Sequence, residues 1–479
     1  MTTPIYDFVT HYTASGTSRL HMPGHKGHGP LSIEARDITE IEGADVLSEA
    51  RGIIGESESN AASLFHTGMT LYSTEGSSLC IRAMLYLILQ LWLLRRRGQD
   101  TGRRPVILAA RNVHKSFLYA CAMLDFDVKW VYPEETGRDS ICACHPTPRQ
   151  IAGALSSMQE PPAAIYLTSP DYLGTTADIR GIVDAADAVF GPETVPVIVD
   201  NAHGAYLHFL REPCHPMDLG AYLCCDSAHK TLPCLTGGAY LHLSRRAAAE
   251  IGEAARSAVE LFGSTSPSYL ILQSLDLLNR RLAEDYPERI AACVHRVNEL
   301  KERLRKLGVR VSASEPLKLV IDASRAEPSV RSGGAELARL FRTHRIEPEF
   351  ADINYLVCMF TPENSALDFE RILKLFREDS AGARRFTGHR QTQQETARSA
   401  GVHSPLLLRP LRRALSVREA LLAPQERLDV RRSAGRICGE PSVSCPPAVP
   451  IAVSGEVIDA SLIPVFLSCG IREVSVVRA

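Results

Sequence analysis

The sequence predicts an α/β fold whose core is a mainly parallel β-sheet covered by helices. Over residues 60–300, short and continuously apolar runs alternate with helix-length segments. Continuous apolarity is typical of strands buried on both faces, and alternation with helices is typical of parallel sheets. In addition, polar side chains directly follow most of these runs, which is where ligands bind in such sheets.

Six apolar runs are the predicted strands of this sheet. In chain order they are Pro105–Ala110, Val128–Tyr132, Ala164–Thr168, Val195–Asp200, Ala221–Cys225 and Gly238–Leu243. Helices are predicted between most of them, including Ser116–Leu124 and Asp178–Val189, and a buried helix over Leu79–Leu94 precedes the first run.

The chain beyond this sheet predicts a smaller α+β domain. A long helical segment, Ser268–Leu307, is expected to leave the sheet domain. The strand-like runs Leu317–Ala323 and Tyr355–Phe360 then flank the helix candidate Gly334–His344, and a further helix is expected over Leu367–Glu378.

These segments divide the chain into three predicted domains. Residues 1–300 form an N-terminal arm and the large domain, residues 301–380 the small α+β domain, and residues 385–479 a C-terminal domain. The polar stretch at residues 380–401 reads as a linker or an exposed loop.

The composition is that of an ordinary globular protein of 479 residues. The formal net charge of −2 gives no electrostatic basis for nucleic acid or an anionic membrane as the main partner. The most apolar window, Met84–Leu94, has only 11 residues and is followed by three arginines, which predicts a buried helix rather than a membrane span. The first residues show no secretory signal, so we expect a cytoplasmic protein.

The 13 cysteines are scattered and form no CxxC pair. The segment Cys142-Ala143-Cys144-His145 comes nearest to a metal-binding knuckle, but no second pair lies at zinc spacing. We therefore expect free thiols and no metal site.

Polar residues at the predicted strand and helix ends match the chemical demands of pyridoxal 5′-phosphate. Lys230 offers an amine for a Schiff base with the aldehyde of the cofactor. Asp200 offers a carboxylate for the ring nitrogen, and His114 offers a flat partner for the ring. Gly76-Ser77-Ser78, before a buried helix, offers hydroxyls and free N–H groups for the phosphate. Ser227 and His229 are expected to bind the phosphate as well.

Each of these residues has an ordinary structural explanation by itself. A lysine after a strand is usually exposed to solvent, and an aspartate at a strand end more often caps a turn or a helix. The hypothesis of a cofactor site depends on their joint occurrence, in this order, at element ends that face one crevice.

At these residues the chain resembles the ornithine/lysine/arginine decarboxylases of pyridoxal-phosphate fold type I. The resemblance covers essentially the whole chain and is closest to the short members, which lack a receiver-like N-terminal domain. The matching motifs are HMPGHKG at His21–Gly27, RNxHKS at Arg111–Ser116, DxAHG at Asp200–Gly204, SxHKT at Ser227–Thr231, the segment Ser264–Tyr269, and Pro446–Pro450 with Gly455-Glu456.

The resemblance implies a role for each matching residue. Lys230 would form the Schiff base. The reaction also needs a proton donor to Cα, for which His229 and Lys230 are both candidates by their chemistry. The residues implied around the ring are His114 stacked on one face, Ala202 on the other face, Asp200 at the nitrogen and His203 near the phenolic oxygen. The residues implied at the phosphate are Ser77, Ser78, Ser227 and His229, with Thr265 and Ser266 reaching it from a neighbouring subunit of a homodimer or larger homo-oligomer.

The sequence departs from the family pattern at a few positions. Asn201 stands where glutamate is usual, and Ala448 stands where glycine is common. None of these departures removes a group that the chemistry requires, but they bear on the choice of substrate.

We therefore predict a decarboxylase of a basic amino acid that acts in polyamine metabolism, with arginine favoured over lysine or ornithine. Two alternatives stay open. Another fold type I enzyme, such as an aminotransferase or a lyase, would share Lys230 and Asp200 but would leave HMPGHKG unexplained. A catalytically silent regulatory homologue would have no chemical need for Lys230, Asp200 and His114 together.

Overall fold

The computed structural model of the chain describes residues 1–96, 102–132, 142–324, 326, 333–378, 383–387, 410–443 and 450–478. Of the predicted linker at 380–401, only residues 383–387 are among the described residues. Of the proline motif, only Pro450 is described.

A seven-stranded sheet forms the core of the first 250 residues, and three small sheets follow it along the chain. The strands of the large sheet are β1 (Met69–Ser73), β2 (Val106–Ala110), β3 (Asp127–Val131), β4 (Ala164–Thr168), β5 (Val197–Asp200), β6 (Leu223–Asp226) and β7 (Ala239–Leu243). The later strands are β8 (Lys318–Asp322), β9 (Phe350–Ala351), β10 (Tyr355–Met359), β11 (Gln425–Asp429), β12 (Ser442–Val443), β13 (Pro450–Ala452) and β14 (Glu473–Val477).

Helices connect most of these strands. In the described part of the chain they are α1 (Pro4–Ala14), α2 (Ile53–Leu64), α3 (Gly76–Arg95), α4 (Lys115–Leu124), α5 (Pro148–Ser156), α6 (Ile179–Phe190), α7 (Ala228–Thr231), α8 (Arg245–Phe262), α9 (Tyr269–Ala283), α10 (Tyr286–Lys306), α11 (Gly333–Thr343), α12 (Ala366–Glu378), α13 (Val417–Leu422) and α14 (Leu462–Ser468).

The prediction of an α/β fold with a mainly parallel sheet is confirmed. The strand order is β1-β7-β6-β5-β4-β2-β3, and β2 to β6 all pair in parallel. Strand β7 pairs antiparallel with both β6 and β1. Only 12 residues separate β6 from β7, and they carry the single-turn helix α7. The chain therefore returns along β6 in the opposite direction instead of making a full helical crossover.

The predicted helical segment Ser268–Leu307 consists of two helices. Helix α9 begins at an N-cap serine, Ser268, whose hydroxyl accepts a hydrogen bond from the N–H of Ile271, and it ends at Ala283. Helix α10 begins at Tyr286, with Pro287 in its first turn. Proline lacks an N–H and fits the first turn of a helix but not its interior, so it starts a new helix here.

Helix α3 is longer than the apolar window that predicted it. Its 20 residues make it long and apolar enough to cross a membrane, and among the described residues it is the one helix of at least 18 residues that meets that test. More than half of its most apolar window is buried inside the protein. It packs against α4, α8 and β7, which explains why it is apolar around most of its circumference.

Candidate cofactor and active site

A cavity of about 240 Å³ opens where the parallel strands β4, β5 and β6 end. Its walls come from these strand ends, from the loop after β2 and from the first turn of α3. Its lining residues are Gly76, Ser77, Ser78, Asn112, His114, Cys142, Thr168, Pro170, Asp171, Tyr172, Asp200, Ala202, His203, Ser227, His229 and Lys230. Nine of the eleven predicted site residues are in this set.

Lys230 projects into the cavity from α7, directly after β6. Its Nζ lies 3.2 Å from Nε2 of His203. Burial lowers the pKa of Lys230, although the nearby Asp200 carboxylate opposes this effect. A lysine amine attacks a carbonyl only in its neutral form, so a lowered pKa favours covalent chemistry at this position.

Asp200 ends β5 and is almost completely buried. Its Oδ1 accepts a hydrogen bond from the N–H of Ala202 at 3.2 Å, and its Oδ2 accepts one from the hydroxyl of Tyr166 at 3.3 Å. These two donors fix the carboxylate at the cavity wall, next to the strand that leads to Lys230.

Two histidines face the cavity in their neutral forms. His114 is the N-cap of α4, and its Nδ1 accepts a hydrogen bond from the N–H of Ser116, so the proton of the neutral ring lies on Nε2. Burial lowers the pKa of His114. Burial, together with the positive charge of Lys230, holds the pKa of His203 well below its usual value.

Small hydroxyls meet at the N-terminus of α3. The hydroxyl of Ser227 donates to the hydroxyl of Ser77 at 2.8 Å, and Ser78 lines the same wall. Nδ1 of His229 lies 3.0 Å from the carbonyl oxygen of Gly238, which leaves its Nε2 as the free ring nitrogen. The N–H groups at the start of a long helix favour an anion such as a phosphate.

The residues of the cavity fit pyridoxal phosphate. A lysine amine, a fixed carboxylate, a flat imidazole and a hydroxyl-lined helix start all face one volume. Moreover, Nδ1 of His203 and Oγ1 of Thr168 are buried without a hydrogen-bond partner among the described residues. Buried polar atoms are normally paired, so these two atoms indicate a cavity suited to a polar ligand.

Thr265 and Ser266 are not brought into this cavity within one chain. Both lie between α8 and α9, where Thr265 lines a second, smaller cavity of about 40 Å³ together with Glu40, Glu75 and Glu260. Their expected role at the phosphate, which assumes a neighbouring subunit, stays a prediction.

Two residues of the matching family motifs contact each other outside the cofactor cavity. Arg111 and Glu456 form a bidentate ion pair with N–O distances of 2.8 and 2.7 Å, and both side chains are buried. The guanidinium of Arg111 also lies over the ring of Trp130 at 5.0 Å. The pair therefore ties the C-terminal segment to the loop that carries His114.

Sequence reasoning gave no role to several residues of the cavity wall. Asn112, Thr168, Asp171 and Tyr172 all line the cavity. Each stands at or just after the end of β2 or β4. Their position directly after an apolar run was therefore the sequence feature that could have identified them as residues of the site.

A second group of buried polar side chains lies beside the cavity and is named here the Asp226 cluster: Asp226, His215, His242 and Asn201. The carboxylate of Asp226 accepts hydrogen bonds from Nδ2 of Asn201 at 2.6 Å, from Nε2 of His215 at 3.0 Å and from Nε2 of His242 at 3.2 Å. Burial acts to raise the pKa of Asp226, but the charge interaction with His215, together with the hydrogen bonds from His215 and His242, holds this pKa well below its usual range.

Part of this cluster has ligand atoms at metal-binding distance. The donor atoms of His215, Cys224 and Asp226 lie within 4.8 Å of one another. However, the N–H of Met217 donates to Nδ1 of His215, which leaves the His215 proton on Nε2, the atom that faces Asp226. The pair is thus a hydrogen bond from Nε2–H of the imidazole to the carboxylate.

Comparisons with known proteins agree with this geometry. The family model "Orn/Lys/Arg decarboxylase, major domain" matches residues 3–324. An arginine decarboxylase of Bacillus subtilis (strain 168) is 28% identical over 95% of this chain and 91% of its own length. An arginine decarboxylase of Bacillus cereus is 25% identical over 95% of this chain and 96% of its own length.

Solved structures share the fold at low identity. The E. coli constitutive lysine decarboxylase has a TM-score of 0.75 at 16% identity, covering 100% of this chain and 82% of that chain. A serine palmitoyltransferase of Sphingomonas wittichii has a TM-score of 0.52 at 12% identity, covering 78% of this chain and 82% of that chain. The fold is that of the fold type I pyridoxal-phosphate enzymes, as the sequence predicted.

The family model covers well over half of the chain, and the cavity supplies the lysine, carboxylate and phosphate-binding groups that the cofactor requires. The chain therefore belongs to the Orn/Lys/Arg decarboxylase family and is a pyridoxal-phosphate-dependent decarboxylase of basic amino acids.

Proposed function

We propose that the substrate is arginine and that the reaction supplies an amine for polyamine metabolism. The observation that carries this choice is that the relatives from B. subtilis and B. cereus, both named arginine decarboxylase, align over 95% of this chain. Lysine and ornithine are the competing substrates.

Each group of residues in the cavity has a separate role in the proposed reaction. Pyridoxal phosphate, when bound, supplies a ring that accepts the electron pair left on Cα as carbon dioxide departs. Lys230 would hold the cofactor through its amine. Asp200 would keep the ring nitrogen protonated, and fixed charges of this kind are usually the largest catalytic contribution. The phosphate would be bound by Ser77, Ser78, Ser227 and His229, and the ring would lie between His114 and Ala202.

A proton must return to Cα after the carboxylate has left. We assign this step to Lys230, because its Nζ faces the cavity and lies 3.2 Å from Nε2 of His203, a ring nitrogen that can exchange a proton with it. His229 is the competing donor. Its Nδ1 is engaged by the carbonyl oxygen of Gly238, so only Nε2 is available to it.

Glu349 is the proposed partner of the distal guanidinium. The hydroxyl of Tyr172, a residue of the cavity wall, donates to Oε1 of Glu349 at 3.5 Å, and Glu349 itself is exposed. Its negative charge acts on Lys230 across the cavity, where it opposes the lowering of the lysine pKa. A carboxylate whose charge reaches the reacting amine suits a guanidinium, which it can bind through two parallel hydrogen bonds.

A neighbouring subunit is the proposed partner of the N-terminal arm. Leu20 and Met22, at the HMPGHKG motif, are 93% and 70% exposed, and Leu31 is 71% exposed. Apolar side chains that protrude together mark interaction surfaces. A second copy on this surface would also explain why Thr265 and Ser266 lie outside the cavity of their own chain. Sedimentation of the holoenzyme tests this proposal, with a dimer or larger assembly expected and a monomer contradicting it.

A cytoplasmic location remains part of the proposal. It is supported by the cysteines of the described residues, all of which are free thiols, as is usual in reducing compartments.

The substrate is tested by carbon dioxide release from the purified, cofactor-loaded protein given arginine, lysine and ornithine separately. Release mainly from arginine is expected. Release mainly from lysine or ornithine would contradict the substrate, and release from none of them would indicate a silent homologue or another fold type I reaction.

The role of Glu349 is tested by Glu349→Gln, with Glu347→Gln as the matched control. Glu347 is two residues away, is exposed and pairs with Arg342. Glu349→Gln should raise KM for the basic substrate about 10-fold or more, as expected for loss of a charge-assisted contact, and leave KM in the control unchanged. Equal KM values in the two variants would exclude Glu349 from substrate binding.

A further inference from the structure

Asn112 is a buried carboxamide without a partner at the cavity wall. It is 5% exposed and lines the cavity, yet neither its Nδ2 nor its Oδ1 has a hydrogen-bond partner among the described residues. A carboxamide can make up to four hydrogen bonds, and leaving all of them unmade in a buried position is costly. Side chains of this kind persist where a ligand completes the pairing.

The backbone around Asn112 is fixed on both sides, so the side chain is held at the cavity. On one side, Arg111 is anchored by its bidentate ion pair with Glu456. On the other side, Val113 is buried in the core and His114 caps α4. These anchors hold the backbone in place, which restricts Asn112 from turning towards another partner.

The surroundings of Asn112 define the ligand chemistry. Both of the ligands that the cavity would bind carry anionic oxygens: the phosphate and the phenolic oxygen of the cofactor, and the α-carboxylate of the substrate. The N–H groups of a carboxamide donate to such oxygens, and hydrogen bonds to a charged acceptor are stronger than neutral ones.

We propose that Asn112 is a ligand-binding residue whose carboxamide donates to an anionic oxygen of the bound cofactor or substrate. The proposal does not depend on which basic amino acid is the substrate, since every one carries the same α-carboxylate. It also gives the Arg111–Glu456 ion pair a function, because the pair anchors the loop that presents Asn112.

The test compares Asn112→Ala with Asn279→Ala. Asn279 is a matched control, because it is also fully buried but is paired throughout: its Nδ2 donates to the hydroxyl of Tyr72 and to the carbonyl oxygen of Ser57, and its Oδ1 accepts from the hydroxyl of Tyr240. In the apoprotein, Asn112→Ala should leave the unfolding temperature unchanged or raise it, whereas Asn279→Ala should lower it.

In the holoprotein, Asn112→Ala should weaken binding of one ligand by about 10- to 100-fold, the range expected for a hydrogen bond to a charged group. If the oxygen belongs to the cofactor, the dissociation constant of pyridoxal phosphate, measured by absorbance on reconstitution of the apoprotein, rises. If it belongs to the substrate, that constant is unchanged, KM rises, and binding of the product amine, which lacks the carboxylate, is unaffected.

Two results would overturn the proposal. One is an Asn112→Ala variant in which neither the cofactor dissociation constant nor KM changes. The other is an apoprotein destabilised as much as that of Asn279→Ala, since this would show that Asn112 already has partners inside the protein.

Discussion

Two buried polar regions meet where β6 ends, and they differ in how their polar atoms are paired. The cofactor cavity and the Asp226 cluster use the same residue types: histidine, aspartate and asparagine. In the cavity, His203, Asn112 and Thr168 keep buried atoms without partners among the described residues. In the cluster, by contrast, the central Asp226 carboxylate accepts hydrogen bonds from three side chains, and among the cluster's described atoms only Oδ1 of Asn201 is buried without a partner.

The difference separates a binding site from a supporting structure. Unpaired buried atoms are costly and persist where a ligand completes them, whereas paired ones stabilise the fold without a ligand. By residue type alone, the two regions are equally good candidates for a functional site. By the distances between possible metal-ligand atoms, the cluster is the better candidate. The comparison predicts that changes in the cavity alter chemistry, and that changes in the cluster alter stability.

The largest effect is expected from Lys230→Ala. Loss of the amine removes the covalent attachment of the cofactor, so activity should be undetectable and the visible absorbance band of the lysine-bound cofactor should disappear. Lys129→Ala, whose amine bonds to Ser157, is the control and should keep both. An unchanged absorbance band in Lys230→Ala would remove Lys230 from the site.

The next effect is expected from Asp200→Asn. The amide has the same shape but no negative charge, so the ring nitrogen loses the partner that keeps it protonated. The rate constant kcat should fall by roughly 10²- to 10³-fold, as for removal of one fixed electrostatic group, while the unfolding temperature of the apoprotein changes little. A loss of stability without a loss of kcat would place Asp200 with the Asp226 cluster instead.

Asp226→Asn should show the opposite pattern. The amide nitrogen would face the N–H groups that now donate to the carboxylate, so the free energy of unfolding should fall by about 3 kcal/mol. Urea unfolding measures the loss. The absorbance band of the lysine-bound cofactor should be retained. If a folded Asp226→Asn variant lacked this band, the assignment of chemistry to the cavity and of stability to the cluster would be contradicted.

The smallest effect is a loss of stability on mild acidification. Burial lowers the pKa values of His203 and His242, one from each region. Their folded pKa values lie below the unfolded value of about 6.5, so the unfolded state binds more protons and stability falls as the pH drops below that value. The expected slope is about 1 kcal/mol per pH unit for each such histidine.

The groups responsible for this pH dependence can be separated by the pH range in which each of them titrates. Asp226, with its lowered pKa, adds a loss of stability only below about pH 4, where the unfolded carboxyl takes up a proton. Between pH 7.0 and 5.5 the buried histidines titrate together with Asp276, whose pKa burial raises to about 6 and whose protonation in the folded state opposes their effect. Urea unfolding of the Asp276→Asn apoprotein at pH 7.0 and 5.5 removes this opposing carboxyl, and equal stability at the two pH values would contradict the contribution of the histidines.

Much of the fold was predictable because its strands are short, apolar and regularly spaced. The runs that became β4 and β5 end at the observed residues, Thr168 and Asp200. Strand β1 was missed, since Met69–Ser73 is short and partly polar. The direction of β7 was also missed, because an apolar run carries no information about whether its neighbour is parallel.

The residues of the candidate site also separate into those that the sequence predicted and those that it could not. Lys230, Asp200 and His114 were predictable because each follows or begins a recognisable element. Asn112 and Thr168 stand at equally visible positions, but nothing in their residue types distinguishes an unpaired polar group from a paired one. The partnership of Arg111 with Glu456 was also beyond the sequence, since 345 positions separate the two residues.

The sequence by itself determined the alternation of strands and helices, the order of the chemical groups along the chain and hence the cofactor. These properties are local, because they depend on periodicity and on the residues at the ends of the elements. The tertiary structure alone decided which polar groups are paired. Pairing depends on distances between residues far apart in the chain, and it separates the open cavity around Lys230 from the closed cluster around Asp226.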